Sequence, residues 1–269
     1  MTRLSLVALA LLVIGLPGCA AGVAQKFQPA APISQWSNED WQHVLTTVVT
    51  DDGYAVRWDD LKRNADGSRD ALYRYVGQIN AVSPDNRSEL FPTPDDRLAY
   101  WINAYNAVTA YRVLERNLPG NLIAGTAFPI PGAIYLIDQT NVGGRGMTLD
   151  AIEKEKIRST NDPRIHFALN CASYSCPPLR AEPYEGDKLQ AQLDDQGRRY
   201  LSNPRAAKKV DDQTVALNSI FTDFYKGDFT KDGQELLTVL RRYAGPDSPV
   251  QSATKYKGMG YDWSLNRAK

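Results

Sequence analysis

The chain has 269 residues, of which 31 are basic and 31 acidic, so its formal net charge at pH 7 is +0. Hydrophobic residues make up 43% of the sequence and charged residues 23%, values typical of a globular protein. Because the chain has no excess of positive charge, its composition argues against a nucleic acid partner, and none is predicted.

The first nineteen residues have the pattern of a lipoprotein signal peptide. Arg3 supplies a positive charge, residues 4–16 form an apolar run, and "LPGC" ends that run at Cys19. The run of about 13 residues is shorter than the roughly 20 that a spanning helix requires, although a short N-terminal anchor is the alternative. "LPGC" resembles the bacterial lipobox, which implies cleavage before Cys19 and its lipidation, and Ala20 favours the outer membrane. We therefore expect an outer-membrane lipoprotein on the periplasmic side, held to the membrane through Cys19.

The sequence divides into three parts. Residues 1–18 are the predicted signal peptide, and residues 19–35 are the lipidated cysteine with a tether rich in Ala, Gln and Pro. Residues 36–269 contain no repeat and no low-complexity tract, and their length suits one domain. A single globular domain is therefore predicted from residue 36 onward.

Hydrophobic periodicity predicts helices at both ends of this domain. Residues 37–49 place Trp41, Val44 and Leu45 at helical spacing behind Ser37 as the predicted N-cap. Further helices are predicted over residues 68–82, 95–117, 188–202, 219–225 and 232–244. Short strands are predicted over residues 133–138 and 164–169, and a hairpin over residues 207–218. The fold class is therefore α+β, with a small mixed sheet flanked by helices.

The helix over residues 95–117 carries two asparagines three residues apart, Asn103 and Asn106. Asparagine is a poor residue for a helix interior, costing about 0.5 kcal/mol relative to alanine. One interpretation is structural: buried amides that tie a loop to the helix. The other interpretation makes them polar groups that line a pocket.

The segment "RIHFALNCASYSCPPL" (164–179) places His166 near Cys171 and Cys176. Once Cys19 is lipidated, two cysteines remain in an oxidising compartment, which predicts a disulfide between them. A reactive thiol and a metal site are the alternatives. The histidine and two cysteines lack a fourth ligand at the usual spacing, so no metal and no cofactor is predicted.

Three separated motifs resemble a known family, the domain-of-unknown-function family 547. They are "LAYWINAYNAV" (98–108), "DPRIHFALNCASYSCPPL" (162–179) and "YDWSLN" (261–266). The similarity extends over about residues 40–266. It implies a single α+β domain, and it further implies kinship with papain-like and transglutaminase-like cysteine hydrolases.

Papain-like enzymes place a cysteine at the start of a long helix and a histidine on a later strand. The helix over residues 95–117 has no cysteine, and Asn103 or Asn106 in its place would make this chain an inactive relative. Alternation along the predicted strand turns Cys171 away from His166. Cys176 lies beyond a turn and could fold back toward the imidazole, so it is the better candidate nucleophile.

Two functional hypotheses follow. The preferred one is a binding or scaffolding module of the cell envelope, with a peptide-like or envelope ligand in a groove near the His166 strand. Its predicted ligand-binding residues are Tyr105, Asn106 and Ser175. The alternative is a cysteine-type hydrolase or acyl transferase for peptide or amide substrates, with Cys176 as nucleophile, His166 as base and Asn103 as orienting group.

Overall fold

The computed structural model describes Pro29 and residues 32–123 and 132–269. The predicted signal peptide, Cys19 and most of the predicted tether lie outside the described residues. The predicted boundary at residue 36 therefore stays a prediction. Everything that follows concerns the described part of the chain.

Helices and strands both occur, and the helices form the larger part. The helices are α1 (Glu39–Val48), α2 (Trp58–Arg63), α3 (Ser68–Ala81), α4 (Pro94–Glu115), α5 (Ala133–Leu136), α6 (Leu149–Ala151), α7 (Ile165–Ala168), α8 (Leu189–Leu201), α9 (Lys226–Phe229) and α10 (Leu236–Tyr243). The π-helical segment Ile152–Ile157 follows α6, and a second π-helical segment, Ile220–Phe224, precedes α9. Short 3₁₀ turns cover Ala65–Gly67, Ser88–Leu90 and Arg158–Thr160. The strands are β1 (Thr140–Val142), β2 (Arg145–Met147), β3 (Ala207–Lys209), β4 (Thr214–Leu217) and β5 (Lys255–Gly258).

Helix α4 is the central element of the core. It begins with a capping box between Thr93 and Asp96, and every residue from 98 to 113 is buried. A helix that is buried on all sides needs neighbours on all sides. Helices α3 and α8 and the π-helical segment after α6 are among the neighbours of α4. Among the described residues, no helix combines the length and apolarity that crossing a membrane requires.

Two small sheets accompany the helices. Strands β1 and β2 form an antiparallel hairpin, and β3, β4 and β5 form a three-stranded sheet. Strand β4 pairs antiparallel with β3 and parallel with β5, so this sheet is mixed. A second hydrophobic cluster, which includes Phe167, Tyr200 and Phe221, packs beside it. The predicted class, a single α+β domain with a small mixed sheet flanked by helices, is confirmed.

The sequence-based elements agree with the structure where they are long. The helices predicted over residues 68–82, 95–117 and 188–202 are α3, α4 and α8, and the predicted hairpin is β3–β4. Helix α1 differs in its cap, because Asn38 and not Ser37 precedes its first residue. The Ser37 hydroxyl instead accepts a hydrogen bond from the Glu39 amide at 3.2 Å.

Both short strands were predicted wrongly. Residues 133–138 contain the one-turn helix α5, which begins after Gly132 in a left-handed conformation. Residues 164–169 contain α7, whose single turn closes through a hydrogen bond from the Leu169 amide to the Ile165 carbonyl at 3.1 Å. All four residues of α7 are buried, and a short apolar run that is buried on every side has the same pattern in a strand and in a helix.

The segment that follows β5 returns across the molecule and completes the fold. Leu265 forms a β-bridge with Ser173, and Arg267 forms one with Val56. The Trp58 indole also donates a buried hydrogen bond to the Asn266 side chain at 2.9 Å. These contacts fix residues 259–269, which we call the C-terminal segment, against the loop that contains Cys171 and Cys176 and against the chain around Val56.

Candidate functional site

A cleft of about 440 Å³ lies between α4, α7 and the C-terminal segment. Six aromatic residues form much of its wall: Tyr105, Tyr135, Phe224, Tyr225, Tyr261 and Trp263. Titratable or sulfur-bearing residues also line it: Asp150, Glu153, Lys154, Arg158, His166, Cys171 and Cys176. An apolar wall with a few convergent polar groups is typical of ligand sites, which makes this cleft the candidate functional site.

A disulfide joins Cys171 and Cys176 in the wall of the cleft. The Tyr261 hydroxyl lies 3.3 Å from the Cys171 sulfur and 3.4 Å from the Cys176 sulfur. The Tyr135 hydroxyl donates to the Cys171 carbonyl at 2.7 Å. The predicted pairing of the two cysteines is confirmed, and in the disulfide neither sulfur is available as a thiolate.

Asn106 connects α4 to the start of the disulfide loop. Its Nδ2 donates to the Ala168 carbonyl at 3.0 Å, and its Oδ1 accepts from the Asn170 amide at 2.8 Å. The Asn170 side chain continues the network, donating to the Pro177 carbonyl and accepting from the Ala172 amide. Ala172 has a φ of 65°, a left-handed conformation that this hydrogen bond supports. Asn106 therefore positions the loop from behind the cleft.

Asn103 makes the equivalent connection one turn earlier on α4. Its Nδ2 donates to the Tyr184 carbonyl at 2.8 Å, and its Oδ1 accepts from the Tyr184 amide at 3.0 Å. Both asparagine side chains are buried, at 1% and 4% exposure for Asn103 and Asn106. Their amides thus satisfy backbone groups of a neighbouring segment, as the structural interpretation of the sequence expects.

His166 lies on α7 and is buried against aromatic rings. Its Nε2 is 2.8 Å from Asp228 Oδ2, and its ring stacks on Tyr225 with 3.9 Å between the centroids. Because a carboxylate accepts, we assign the proton to Nε2, which leaves a lone pair on Nδ1. Nδ1 is buried and has no hydrogen-bond partner in the described part of the chain. Burial lowers the pKa of His166, although Asp228 opposes this effect, so the ring is neutral at pH 7.

Asp228 connects His166 to a cation at the edge of the cleft. Its two carboxylate oxygens accept hydrogen bonds from Arg158 at 2.8 Å each, in a bidentate pair. The hydrogen bond from His166, together with those from Arg158, holds the pKa of Asp228 well below its usual range. Asp228 is therefore ionised at neutral pH, where it orients the imidazole and neutralises the guanidinium.

Glu153 is an acidic group of the cleft wall that is partly buried. It belongs to the π-helical segment after α6, and its carboxyl group lies near the Tyr225 side chain. Burial raises the pKa of Glu153, and the nearby Tyr225 hydroxyl acts in the opposite direction. Glu153 and His166 thus have the same tyrosine as a neighbour, and the His166 ring stacks on it.

The structure brings some of the predicted site residues together and separates others. Tyr105, His166 and Cys176 line the cleft, as does Cys171. Asn103, Asn106 and Ser175 are not part of its wall. The Ser175 hydroxyl instead accepts a hydrogen bond from the Asp262 amide at 2.9 Å and so holds the C-terminal segment.

The expected relation between His166 and the cysteines requires a correction. Because residues 165–168 form α7, the alternation of a strand does not apply, and Cys171 shares the cleft with His166. The groove predicted beside a His166 strand is instead a cleft beside a helical His166. Helix α4 contributes Tyr105 to it, whereas the predicted polar groups of α4 face a neighbouring segment.

Sequence reasoning missed Glu153, Asp228 and Tyr225. Glu153 lies in "EKEK", a run of alternating charges that usually forms a solvated face. Asp228 lies 62 positions after His166, so nothing local connects the two. Tyr261 and Trp263 could be found from the sequence, because both belong to the third motif, "YDWSLN".

Comparison with known families supports the resemblance seen in the motifs. Residues 91–201 match the model of the family described as "Protein of unknown function, DUF547". This range contains the first two motifs, and the third lies beyond it. No curated protein and no solved structure matches the chain. The resemblance is therefore confirmed over residues 91–201, and the family description leaves the activity open.

Proposed function

We propose that this protein is a ligand-binding module of the cell envelope, attached to the outer membrane through a lipidated Cys19. The observation that carries the proposal is the cleft, where an aromatic wall surrounds a few polar groups and the two cysteines are oxidised. Its volume of about 440 Å³ is within the range of small-molecule sites. Binding at such a site needs no free thiol.

Two observations support an envelope location. The "LPGC" motif at residues 16–19 resembles the lipobox, and acyl chains on Cys19 would supply stable anchoring. The disulfide between Cys171 and Cys176 is of a kind that persists in oxidising compartments such as the periplasm. Both features suit a protein that faces the periplasm.

A neutral aryl probe tests the binding proposal. We expect 2-phenylethanol to shift the indole NMR signal of Trp263 in the full-length protein, because this ring lines the cleft. Trp263→Ala should weaken the binding of the probe at least threefold, as read from the NMR signals of the probe itself, since it removes one aromatic wall. Trp36→Ala is the matched control, because Trp36 packs on Tyr75, Phe91 and Tyr100 away from the cleft. If neither this probe nor its charged aryl analogues move the Trp263 signal, the proposal is wrong.

A second candidate function is a thiol enzyme that becomes active when the disulfide is reduced. His166 and Cys176 line the same cleft, and the Nδ1 atom of His166 has no partner within the described residues. Asp228 orients the ring through Nε2, as the acidic member of a catalytic triad does. An external dithiol would supply the two electrons and two protons that opening the bridge requires. The enzyme would then be a hydrolase or acyl transferase with Cys176 as nucleophile.

Alkylation distinguishes the two candidates. Without reductant we expect iodoacetamide to modify neither Cys171 nor Cys176, because both are in the disulfide. After reduction, a binding module should show alkylation that rises with pH around the ordinary thiol pKa of about 8.5. Rapid alkylation of Cys176 near pH 6 that His166→Ala shifts to higher pH would instead favour the enzyme.

A further inference from the structure

The charged side chains in the cleft wall are almost all paired. Lys154 pairs with Asp150 at 3.0 Å, and Arg158 pairs with Asp228 at 2.8 Å. Glu153 remains, and it forms no salt bridge with any described residue. Because the charges within each pair cancel, the wall carries one uncompensated negative charge when Glu153 is ionised.

Glu153 is partly buried in a cleft wall that is rich in aromatic rings. Tyr225 lies near its carboxyl group, and burial raises its pKa. An ionised carboxylate in such a place is costly unless a cation or further donors approach it. A ligand that carries a positive charge would supply both the charge and the donors.

Aromatic rings of the same cleft suit the same kind of ligand. Phe224, Tyr261 and Trp263 form one cluster, with centroids 4.5 Å apart for Tyr261 and Trp263 and 5.2 Å apart for Phe224 and Tyr261. The face of an aromatic ring carries partial negative charge and attracts cations, while its carbon surface accepts an apolar body. Phe224 is 45% exposed, so part of this cluster is open to a ligand.

The unpaired nitrogen of His166 adds an acceptor. His166 lines the cleft and is 2% exposed. Its Nδ1 accepts no hydrogen bond from any described residue. The two ring nitrogens point in nearly opposite directions, so Nδ1 faces away from Asp228. A protonated amine carries several N–H groups and can donate to more than one acceptor, here Glu153 and His166.

We propose that the cleft binds an organic amine in its ammonium form, with the charged nitrogen at Glu153 and an apolar body against Phe224, Tyr261 and Trp263. This inference rests on the proposed function, because it assumes that the cleft is a ligand site, and it names the class of ligand. An anionic ligand would meet the Glu153 carboxylate, and the nearby guanidinium of Arg158 is already held by Asp228. A neutral ligand would leave the charge of Glu153 uncompensated.

Three probes with the same aryl body test the inference on the full-length protein at pH 7.5. Phenethylamine is cationic, 2-phenylethanol is neutral and phenylacetate is anionic, and dissociation constants are read from the Trp263 indole signal. We expect the amine to bind at least tenfold more tightly than the alcohol, and the acid to bind most weakly. This comparison uses the unaltered chain and so does not depend on the folding of a variant.

Glu153→Gln removes the charge and keeps the size and shape of the side chain. We expect this change to weaken amine binding at least tenfold and to leave the binding of 2-phenylethanol within about a factor of two. Glu155→Gln is the matched control, because Glu155 is exposed and pairs with Arg145 at 3.1 Å outside the cleft wall. It should leave the binding of all three probes unchanged.

The outcomes separate the two proposals. If 2-phenylethanol or phenylacetate binds as tightly as the amine, or if Glu153→Gln binds the amine as the natural protein does, the amine inference is wrong and the cleft remains a ligand site. If none of the three probes moves the Trp263 signal, the proposed function and the inference are both wrong. A preference for the amine that Glu153→Gln removes supports both.

Discussion

Replacing Cys19 by serine is expected to abolish acylation of the protein. The lipobox resemblance of "LPGC" implies that the Cys19 sulfur carries a lipid, and serine cannot form the thioether. Cells grown with labelled palmitate should therefore label the natural protein, and the Cys19→Ser variant should carry no label. Without its acyl chains, each contributing about 0.8 kcal/mol per buried methylene, the variant loses the predicted anchor.

The matched control for this experiment is Cys171→Ser. Its sulfur is in the disulfide with Cys176 and is not a predicted lipidation site, so that variant should keep the label. Palmitate on the Cys19→Ser variant would mean that the lipid is attached elsewhere or that the signal is of another kind. The envelope part of the proposed function would then need a different anchor, while the cleft would be unaffected.

The second large effect is expected for Asn106→Leu. Leucine has a similar size but cannot donate to the Ala168 carbonyl or accept from the Asn170 amide, and both groups are buried behind the cleft. Each unsatisfied backbone group costs about 1–3 kcal/mol, so the free energy of unfolding should fall by about 3 kcal/mol. Urea denaturation of the two proteins measures this difference.

Asn141→Leu is the control for the change in polarity. Asn141 lies on β1 and is exposed, and its substitution should alter the free energy of unfolding by less than about 0.5 kcal/mol. If Asn106→Leu is as stable as the natural protein, the hydrogen bonds that connect α4 to the disulfide loop contribute little. The loop would then be held mainly by the disulfide and by the C-terminal segment.

The long helices could be predicted because their signals are local and repeated. Helix α4 has a capping box, a proline in its first turn and apolar residues over about six turns, so several independent features agree. The hairpin β3–β4 could be predicted from its turn residues. The fold class followed from the order of these elements along the chain.

The short elements could not be predicted in the same way. Helix α7 has four residues, all buried, and a segment of this length fits one turn of helix or a buried strand equally well. Its conformation is decided by tertiary contacts, such as the hydrogen bond of His166 to Asp228 and the stacking of its ring on Tyr225. Neither partner is near it in sequence.

The residues of the candidate site likewise differ in how well the sequence predicts them. His166, Cys171 and Cys176 could be identified because reactive residue types are close together in one motif. The partners that determine the chemistry of His166 could not, because Asp228 and Tyr225 are brought in by separate elements. Glu153 was hidden by its charged neighbours, whose pattern is typical of a surface helix.

The attachment of the C-terminal segment also bears on biosynthesis. Chains emerge from the ribosome N-terminal end first at about 5–20 residues per second, so several seconds separate Glu153 from Tyr261 and Trp263, roughly a hundred residues further on. During that interval the nascent chain lacks one wall of the cleft, and Cys171 and Cys176 pair only after the chain reaches an oxidising compartment. A chain cut short before residue 255 would lack β5 and both of these rings. Ligand occupancy would therefore distinguish fully synthesised molecules from fragments that stop before this segment.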